Sequence, residues 1–369
     1  MTQESDRRFM AMALALAERG LGNVWPNPAV GCVLVKDGRV VGRGWTQPGG
    51  RPHAETEAIA RAGADARGST AYVTLEPCNH HGRTPPCVDA MLEAGIARTV
   101  IAAVDPDPRV NGMGISRLRA AGMSVVVGCR ESEACRLNTG FFLRMQHRRP
   151  LVALKLATSA DGRIATVSGD SQWITGAAAR AEGHRLRLRH DAILVGSGTA
   201  LADDPMLTCR LPGLAGCSPV RVVLDRRLRL GADSRLVRSA RDLPVWLFTN
   251  AADGARAAEL RAAGVMVVQL RETGSGPVLR EMLATLAEQG VTRLLVEGGA
   301  TLATAFLREC RVDRLYQFEA PMLIGADGVP ATHALDVVRL QDAARWRRVE
   351  ERLLGPDRLG VLEPLPNTG

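Results

Sequence analysis

A chain of 369 residues exceeds what one hydrophobic core usually organises and is long enough for about two domains. An apolar fraction of 46 % is ordinary for a globular protein, and 4 % aromatics argue against a stacking platform for single-stranded nucleic acid. The formal charge of +8 admits nucleic acid, but equally phosphorylated small molecules drawn to a basic cleft; much of the excess is scattered arginine (Arg185, Arg187, Arg189, Arg226, Arg227, Arg229, Arg347, Arg348) that reads mostly as solvated faces.

The first segment, MTQESDRRFMAMALALAERG, predicts a helix from about Asp6 to Arg19, with Phe9, Met10, Ala13, Leu14, Leu16 and Ala17 on one face and Gly20 as its stop. Acids on both sides of the apolar stretch argue against a signal peptide, and no run is long and uncharged enough to span a bilayer, so a cytoplasmic protein is expected. Eight scattered cysteines in such a chain stay reduced, and a spaced pair then signals metal before disulfide. AVGCVLV and RVVGRGW flank Asp37-Gly38, a hairpin signal. ETEAIARAG then reads as helix, TAYVTLE as strand, CVDAMLEAG as helix and TVIAAV as strand. This alternation predicts an α/β layered domain with a partly parallel sheet.

His53-Ala54-Glu55 lies at a helix start, Pro77-Cys78 follows a strand, and Cys87 opens the next helix. One imidazole and two thiolates supply three zinc ligands and leave the fourth tetrahedral position to water, as hydrolysis requires. The positive ends of the two helices favour the thiolates. Glu55, two residues from His53, does not share its helical face, so it suits moving the attacking water's proton better than binding the metal. Singly, HAE is an ordinary helix start and each cysteine a small hydrophobe; the set in this order points to zinc. Cys32, Cys129, Cys135, Cys209, Cys217 and Cys310 lack such spacing and read as core filler or exposed thiols.

The His53-x-Glu55 and Pro77-Cys78 pattern resembles the zinc nucleobase deaminases, whose signature is H-x-E followed by P-C-x-x-C, although here NHHGRTPP separates the cysteines. PNPAVG (Pro26 to Gly31), PHAE, LEPCNHHGRTPPC and DPDPRVNGMG together resemble the deaminase half of the bifunctional riboflavin biosynthesis deaminase/reductases over nearly all of the first domain. The resemblance implies a cytidine-deaminase-like three-layer fold and replacement of the 2-amino group of a diaminopyrimidinone carrying a phosphoribosylamino side chain. It also implies a substrate site with Asn27, whose amide reads the pyrimidine edge, His80, and Arg83 facing the phosphoribosyl part. By themselves, Asn27 is a turn residue between prolines and His80 a loop histidine. Thr46 and Glu57 stand where the family often has histidine.

Around Arg144 to Pro150 the chain turns basic and polar, RMQHRRP, which places a boundary near His147 and gives domains 1–147 and 148–369. Beyond it LVALKLA, DAILVGS, RVVLD, PVWLFT, VMVVQL and RLLVEGG are strand-like runs separated by helical segments, a second α/β domain. No G-x-G-x-x-G joins a strand to a helix, so a nicotinamide cofactor is held differently. KLATSADGRIA, SGDSQWIT, LVGSGTALADDPMLTCR and VEGGATL put glycines after strand ends, where a backbone can approach phosphates; each stretch alone reads as a turn. Together they resemble the reductase half of the same family, whose fold is like dihydrofolate reductase. The resemblance implies NADPH-dependent conversion of a ribosylamino into a ribitylamino side chain. It places Ser171, Arg187, Leu207, Arg210 and Glu297 at the substrate, and Ala157, Trp173, Thr199, Asp203, Gly299, Ala300 and Thr301 at NADPH. Lys155 alternates with apolar neighbours and is assigned no role.

The implied partners are phosphorylated pyrimidines, with no nucleic acid, no membrane, and self-association into a homo-oligomer. Two other readings compete. A tRNA or free-nucleoside deaminase with an unrelated appended domain would carry P-C-x-x-C and a basic surface beside the zinc. A nucleic-acid-binding protein on an inactive deaminase scaffold has no physical reason to keep His53, Glu55, Cys78 and Cys87 together.

Overall fold

Thr2 caps the first helix by accepting the Ser5 amide at 3.3 Å, so the helix runs Gln3–Ala17 and starts earlier than its apolar face suggests. It buries Phe9, Met10, Ala13, Leu14 and Ala17 as expected, with Leu16 packed at the margin. The computed structural model describes residues 2–82 and 85–365, and the chain divides into two compact units, Met1–Arg149 and Pro150–Gly369.

In the first unit β1 (Gly31–Lys36) and β2 (Arg39–Trp45) form the expected hairpin, with Asp37 and Gly38 both at positive φ. Strands β3 (Thr70–Val73), β4 (Arg98–Ile101) and β5 (Ser124–Val127) complete a sheet of order β2-β1-β3-β4-β5. Its β3, β4 and β5 are parallel, while β1 runs antiparallel to both neighbours. Cross-strand partners share a face, and this sorts the layers. Gly42 and Gly44 pair with Leu34 and Cys32 and press against the backbone of the helix Ala54–Ala62; Gly31 lies on the other face, against the backbone of Gln3–Ala17. Three layers result, with a core that includes Met10, Leu34, Tyr72, Leu75, Met91 and Leu118.

The second unit adds β6 (Leu151–Ser159), β7 (Arg163–Ala165), β8 (Ala192–Gly196), β9 (Val220–Leu224), β10 (Val245–Thr249), β11 (Met266–Gln269), β12 (Arg293–Val296), β13 (Arg314–Ala320), β14 (Val329–Pro330), β15 (Trp346–Leu354) and β16 (Asp357–Pro364). Nine of these make one sheet, β11-β10-β9-β8-β12-β6-β13-β16-β15, while β7 and β14 pair separately. From β11 to β13 every neighbour is parallel. The chain leaves β6, fills the positions from β8 outward, then returns through β12 into the gap beside β6. This reversal opens a crevice at the carboxyl ends of β6, β12 and β8, where ligands bind in open α/β sheets.

The hairpin β15–β16 carries mostly charged residues on its outer strand and gives no apolar run, so the strand-like runs of the sequence stop short of it. Among the described residues no helix is long and apolar enough to cross a membrane.

The close approach at Gly31 has a measurable consequence. A Cβ there would overlap the Ala13 carbonyl, which belongs to helix backbone and cannot swing aside. Gly31→Ala should therefore destabilise the first unit by about 3 kcal/mol, read as a lower denaturant midpoint, with the second unit's transition unmoved.

Candidate active sites

His53 is the N-cap of the helix Ala54–Ala62 and has extended backbone, so its imidazole stands clear of the helix. Cys87 is the first residue of the helix Cys87–Glu93, and its amide donates to Cys78 Sγ at 3.3 Å. His53 Nδ1 lies 3.2 Å from Cys87 Sγ and 3.6 Å from Cys78 Sγ, and all three donor atoms lie within 4.8 Å of one another. Tetrahedral Zn–N and Zn–S bonds imply donor separations of roughly 3.5–3.8 Å, so the set fits zinc.

The electrostatics agree with that fit. The bond to Cys87, opposed by burial and aided by His53, brings the Cys78 thiol down to about 4, whereas the bond to Cys78 and burial push Cys87 well above the usual thiol range. One thiol ionises at the other's expense, and a cation at their centre lets both do so. The hydrogen bond to Cys78 raises His53. Burial pushes Glu55, 4 % exposed, up to about 7.

His53, Glu55 and Cys78 open on a cavity of about 250 Å³ also lined by Asn27, Thr46, His80, Asp105, Asp107 and Arg109. Asn27 donates to the Gly50 carbonyl at 2.9 Å, and His80 Nδ1 is buried without a hydrogen-bond partner. Arg83 lies outside the described residues. Thr46 accepts the Val30 amide at 3.0 Å and donates to the Pro28 carbonyl at 3.2 Å, tying down the loop that carries Asn27. Glu57 pairs with Arg61, its Cβ beside Gly44 of β2.

Sequence reasoning gave no role to Glu76, Asp105, Asp107 or Arg109. Glu76, 4 % exposed, accepts four backbone amides: Asp105 and Gly112 on one oxygen, Gly114 and Ile115 on the other. It thereby fixes the loop 105–115 against the turn that carries Cys78. Asp107 pairs with Arg109, and burial raises Asp105 to about 7. Their signal was positional, since a polar loop after the carboxyl end of a parallel strand faces the ligand side.

In the second unit a cleft of about 920 Å³ is lined by eight of the residues that the resemblance places at NADPH or substrate, Ala157, Ser171, Thr199, Asp203, Glu297, Gly299, Ala300 and Thr301, and by Lys155. Thr199 Oγ1 accepts the Gly299 amide at 3.2 Å, joining the helix Ser197–Asp203 that follows β8 to the loop after β12. Arg187 grips Glu297 with two hydrogen bonds, Nε to Oε1 at 2.9 Å and Nη2 to Oε2 at 3.0 Å, and Lys155 Nζ lies 3.8 Å away. Burial works to raise Glu297, but the charges of Arg187 and Lys155 outweigh it and hold the carboxyl at about 2.

The remaining expected residues lie elsewhere. Leu207 is 4 % exposed within an apolar core, at φ 54°, so it can offer a ligand little beyond its backbone. Arg210 is exposed and rests on His184, with Nε 3.3 Å from Nε2. Trp173 is 60 % exposed under the Arg180 guanidinium. Asp161 of the Ser-x-Asp-Gly segment accepts the Ser159 hydroxyl and the Ile324 and Gly325 amides, an anchor for the cleft wall built on β7 and β14.

Two outcomes follow from these geometries. Cys78→Ser or Cys87→Ser should strip the zinc, measured as metal per purified chain, because a neutral hydroxyl replaces a thiolate donor; full occupancy in both variants would refute the donor set. Glu297→Gln leaves Arg187, whose side chain is 16 % exposed, without its partner, and should cost the second unit about 3–5 kcal/mol. The folded carboxyl titrates below its unfolded value, so its contribution is complete above the unfolded value and is lost only as pH falls toward about 2. The difference between variant and wild type should thus stay constant from about pH 8 to pH 6.

Comparison with known proteins agrees with this division. A family model described as the cytidine and deoxycytidylate deaminase zinc-binding region matches residues 3–103, and the RibD C-terminal domain matches residues 150–357. The chain is 42 % identical over 363 residues to the riboflavin biosynthesis protein RibD of Escherichia coli, covering 95 % of this chain and 97 % of that one. To the protein of the same name from Aquifex aeolicus it is 40 % identical over 357 residues, covering 97 % and 98 %. Among solved structures, RibD of Acinetobacter baumannii superposes with a TM-score of 0.90 at 38 % identity, covering 99 % of this chain and all of that one. A Thermotoga maritima protein titled diaminohydroxyphosphoribosylaminopyrimidine deaminase/5-amino-6-(5-phosphoribosylamino)uracil reductase gives 0.88 at 35 % identity over 99 % of this chain and 100 % of that one. With a metal set in one unit, a crevice in the other, and relatives matched from end to end, this chain belongs to the RibD family of riboflavin biosynthesis proteins.

Proposed function

We propose that the chain catalyses two consecutive steps of riboflavin biosynthesis. The first unit hydrolytically deaminates 2,5-diamino-6-(5-phosphoribosylamino)pyrimidin-4(3H)-one. The second reduces the side chain of that product with NADPH to give 5-amino-6-(5-phosphoribitylamino)uracil. The observation that carries the reading is the three-donor metal set beside a buried glutamate in a chain similar along its whole length to a Thermotoga maritima protein named for these two activities.

In the deaminase, His53, Cys78 and Cys87 hold zinc, which supplies a Lewis acid that makes water nucleophilic near neutral pH. Glu55, buried beside the three donors, takes the proton of the attacking water and passes it to the leaving amine. Asn27 and His80 orient the pyrimidine, and Arg83 meets the phosphoribosyl part. In the reductase, NADPH supplies the hydride. Ala157, Thr199 and Asp203 line its seat with Trp173 at the rim, and the amides of Ala300 and Thr301, which follow Gly299 at the start of the helix Ala300–Arg308, take phosphate. Ser171, Arg187, Glu297 and the Leu207 backbone position the substrate, and Arg210 offers a planar fork to its 5-phosphate. Lys155 adds a cation beside Glu297. Free thiols at all eight cysteines fit a reducing cytoplasm.

Given the diaminopyrimidinone and NADPH, the full chain should release ammonia and oxidise NADPH in equal amounts. Glu55→Gln should retain zinc, lose deamination by about a hundredfold or more, and still reduce substrate that has already been deaminated. Near-normal deamination by that variant would assign the proton transfer to another group.

A further inference from the structure

The turn that carries Asn27 belongs to no helix or strand, yet Pro26, Asn27, Pro28 and Val30 all line the cavity of the first unit. Backbone groups outside a ladder need other partners when they are buried. Three side chains from distant parts of the unit supply them. Asn138, 3 % exposed and 109 residues along the chain from Ala29, closes both polar groups of that residue: its Oδ1 accepts the Ala29 amide and its Nδ2 donates to the Ala29 carbonyl, each at 2.9 Å. Thr46 holds Val30 and Pro28 on either side, and Thr74 Oγ1 accepts the Gly31 amide at 3.0 Å. Every residue from Pro28 to Gly31 is thus held by a side chain.

A separate contact orients the Asn27 side chain itself. Its Nδ2 donates to the Gly50 carbonyl at 2.9 Å, and a carbonyl only accepts, so the amide cannot turn over without losing that bond. Gly50, at φ 84°, permits the contact, because a Cβ there would stand 2.0 Å from Asn27 Nδ2. Oδ1 has no partner among the described residues, and Asn27 lines the cavity, so the atom left for a ligand is an acceptor. The diaminopyrimidinone ring offers such an acceptor its N–H, between the reacting carbon and the ring carbonyl.

Asn138 stands between the helices Glu131–Leu137 and Thr139–His147, and the second of these brings Phe141, Arg144 and Met145 to the same cavity. One side chain therefore sets the Asn27 turn against a helix of the cavity wall. We propose that Asn138 and Thr46 are positioning residues for the deamination: together with Gly50 they hold Asn27 so that its Oδ1 accepts the ring N–H of the pyrimidine. The inference rests on reading this unit as a pyrimidine deaminase. The zinc donors His53, Cys78 and Cys87 lie on other elements, so loosening the turn should weaken the grip on the ring and leave the metal in place.

The test measures ammonia release from the diaminopyrimidinone by the full, zinc-loaded chain. In Thr46→Val and Asn138→Asp the KM should rise roughly 5- to 20-fold while kcat falls less than about threefold, because a contact made in ground and transition states alike is lost. Zinc per chain should match wild type. Gly50→Ala, which pushes the Asn27 amide aside, should act in the same way, and Thr46→Ser, which keeps the hydroxyl, should recover most of the loss. In an Asn27→Ala background the same three substitutions should change the KM by less than about twofold, since they act through a side chain no longer there. Asn27→Asp, which keeps an acceptor, should bind substrate more tightly than Asn27→Leu. Thr46→Val nearly keeps the volume of threonine, so it decides the matter even where Asn138→Asp fails to fold. An unchanged KM in Thr46→Val, or equal increases with and without Asn27, overturns the positioning role; an equal or reversed order of the Asp and Leu variants overturns the acceptor. A wild-type chain that releases no ammonia overturns the deaminase reading instead.

Discussion

Two thiols and an imidazole held within 4.8 Å of one another are the constraint on which the first unit depends. Neutral thiols crowded in this way gain little, and paired thiolates repel unless a cation lies between them. Two helix starts converge there: His53 caps one, and Cys87 opens the other and directs its amide at Cys78. The sheet makes that convergence possible. Gly42 and Gly44 let the helix Ala54–Ala62 lie against β2, because a Cβ at either position would overlap helix backbone. Glu76 then binds the neighbouring loop, part of the cavity wall, to the Cys78 turn through four amides.

The second unit turns on a buried carboxylate. Glu297 emerges just after β12, where the strand order reverses, and Arg187 and Lys155 keep it ionised in spite of burial. A fixed anion between two cations gives a rigid polar floor at one end of the cleft. The segments after β8, β9 and β12 extend that floor, and the Thr199–Gly299 hydrogen bond joins two of them. In both units the reacting groups sit on element ends and the strands behind them are apolar, so packing supplies the rigidity and loops supply the chemistry.

Much of this was written locally. The helix face of Phe9, Met10, Ala13, Leu14 and Ala17, the Asp37-Gly38 hairpin, the β-branched runs of the parallel strands, and the His53, Glu55, Cys78, Cys87 set follow from periodicity and spacing, because each depends on neighbours in the chain. What the tertiary structure decided depends on residues far apart. Arg187 and Glu297, which the resemblance alone brings together, form a paired contact 110 residues apart; four amides of the loop 105–115 converge on Glu76; and the mixed charges of β15 hid a strand whose place is set by its partner β16. Spacing along the chain specifies which donors are available, whereas burial and partner distance fix which of them carry charge and which face a ligand.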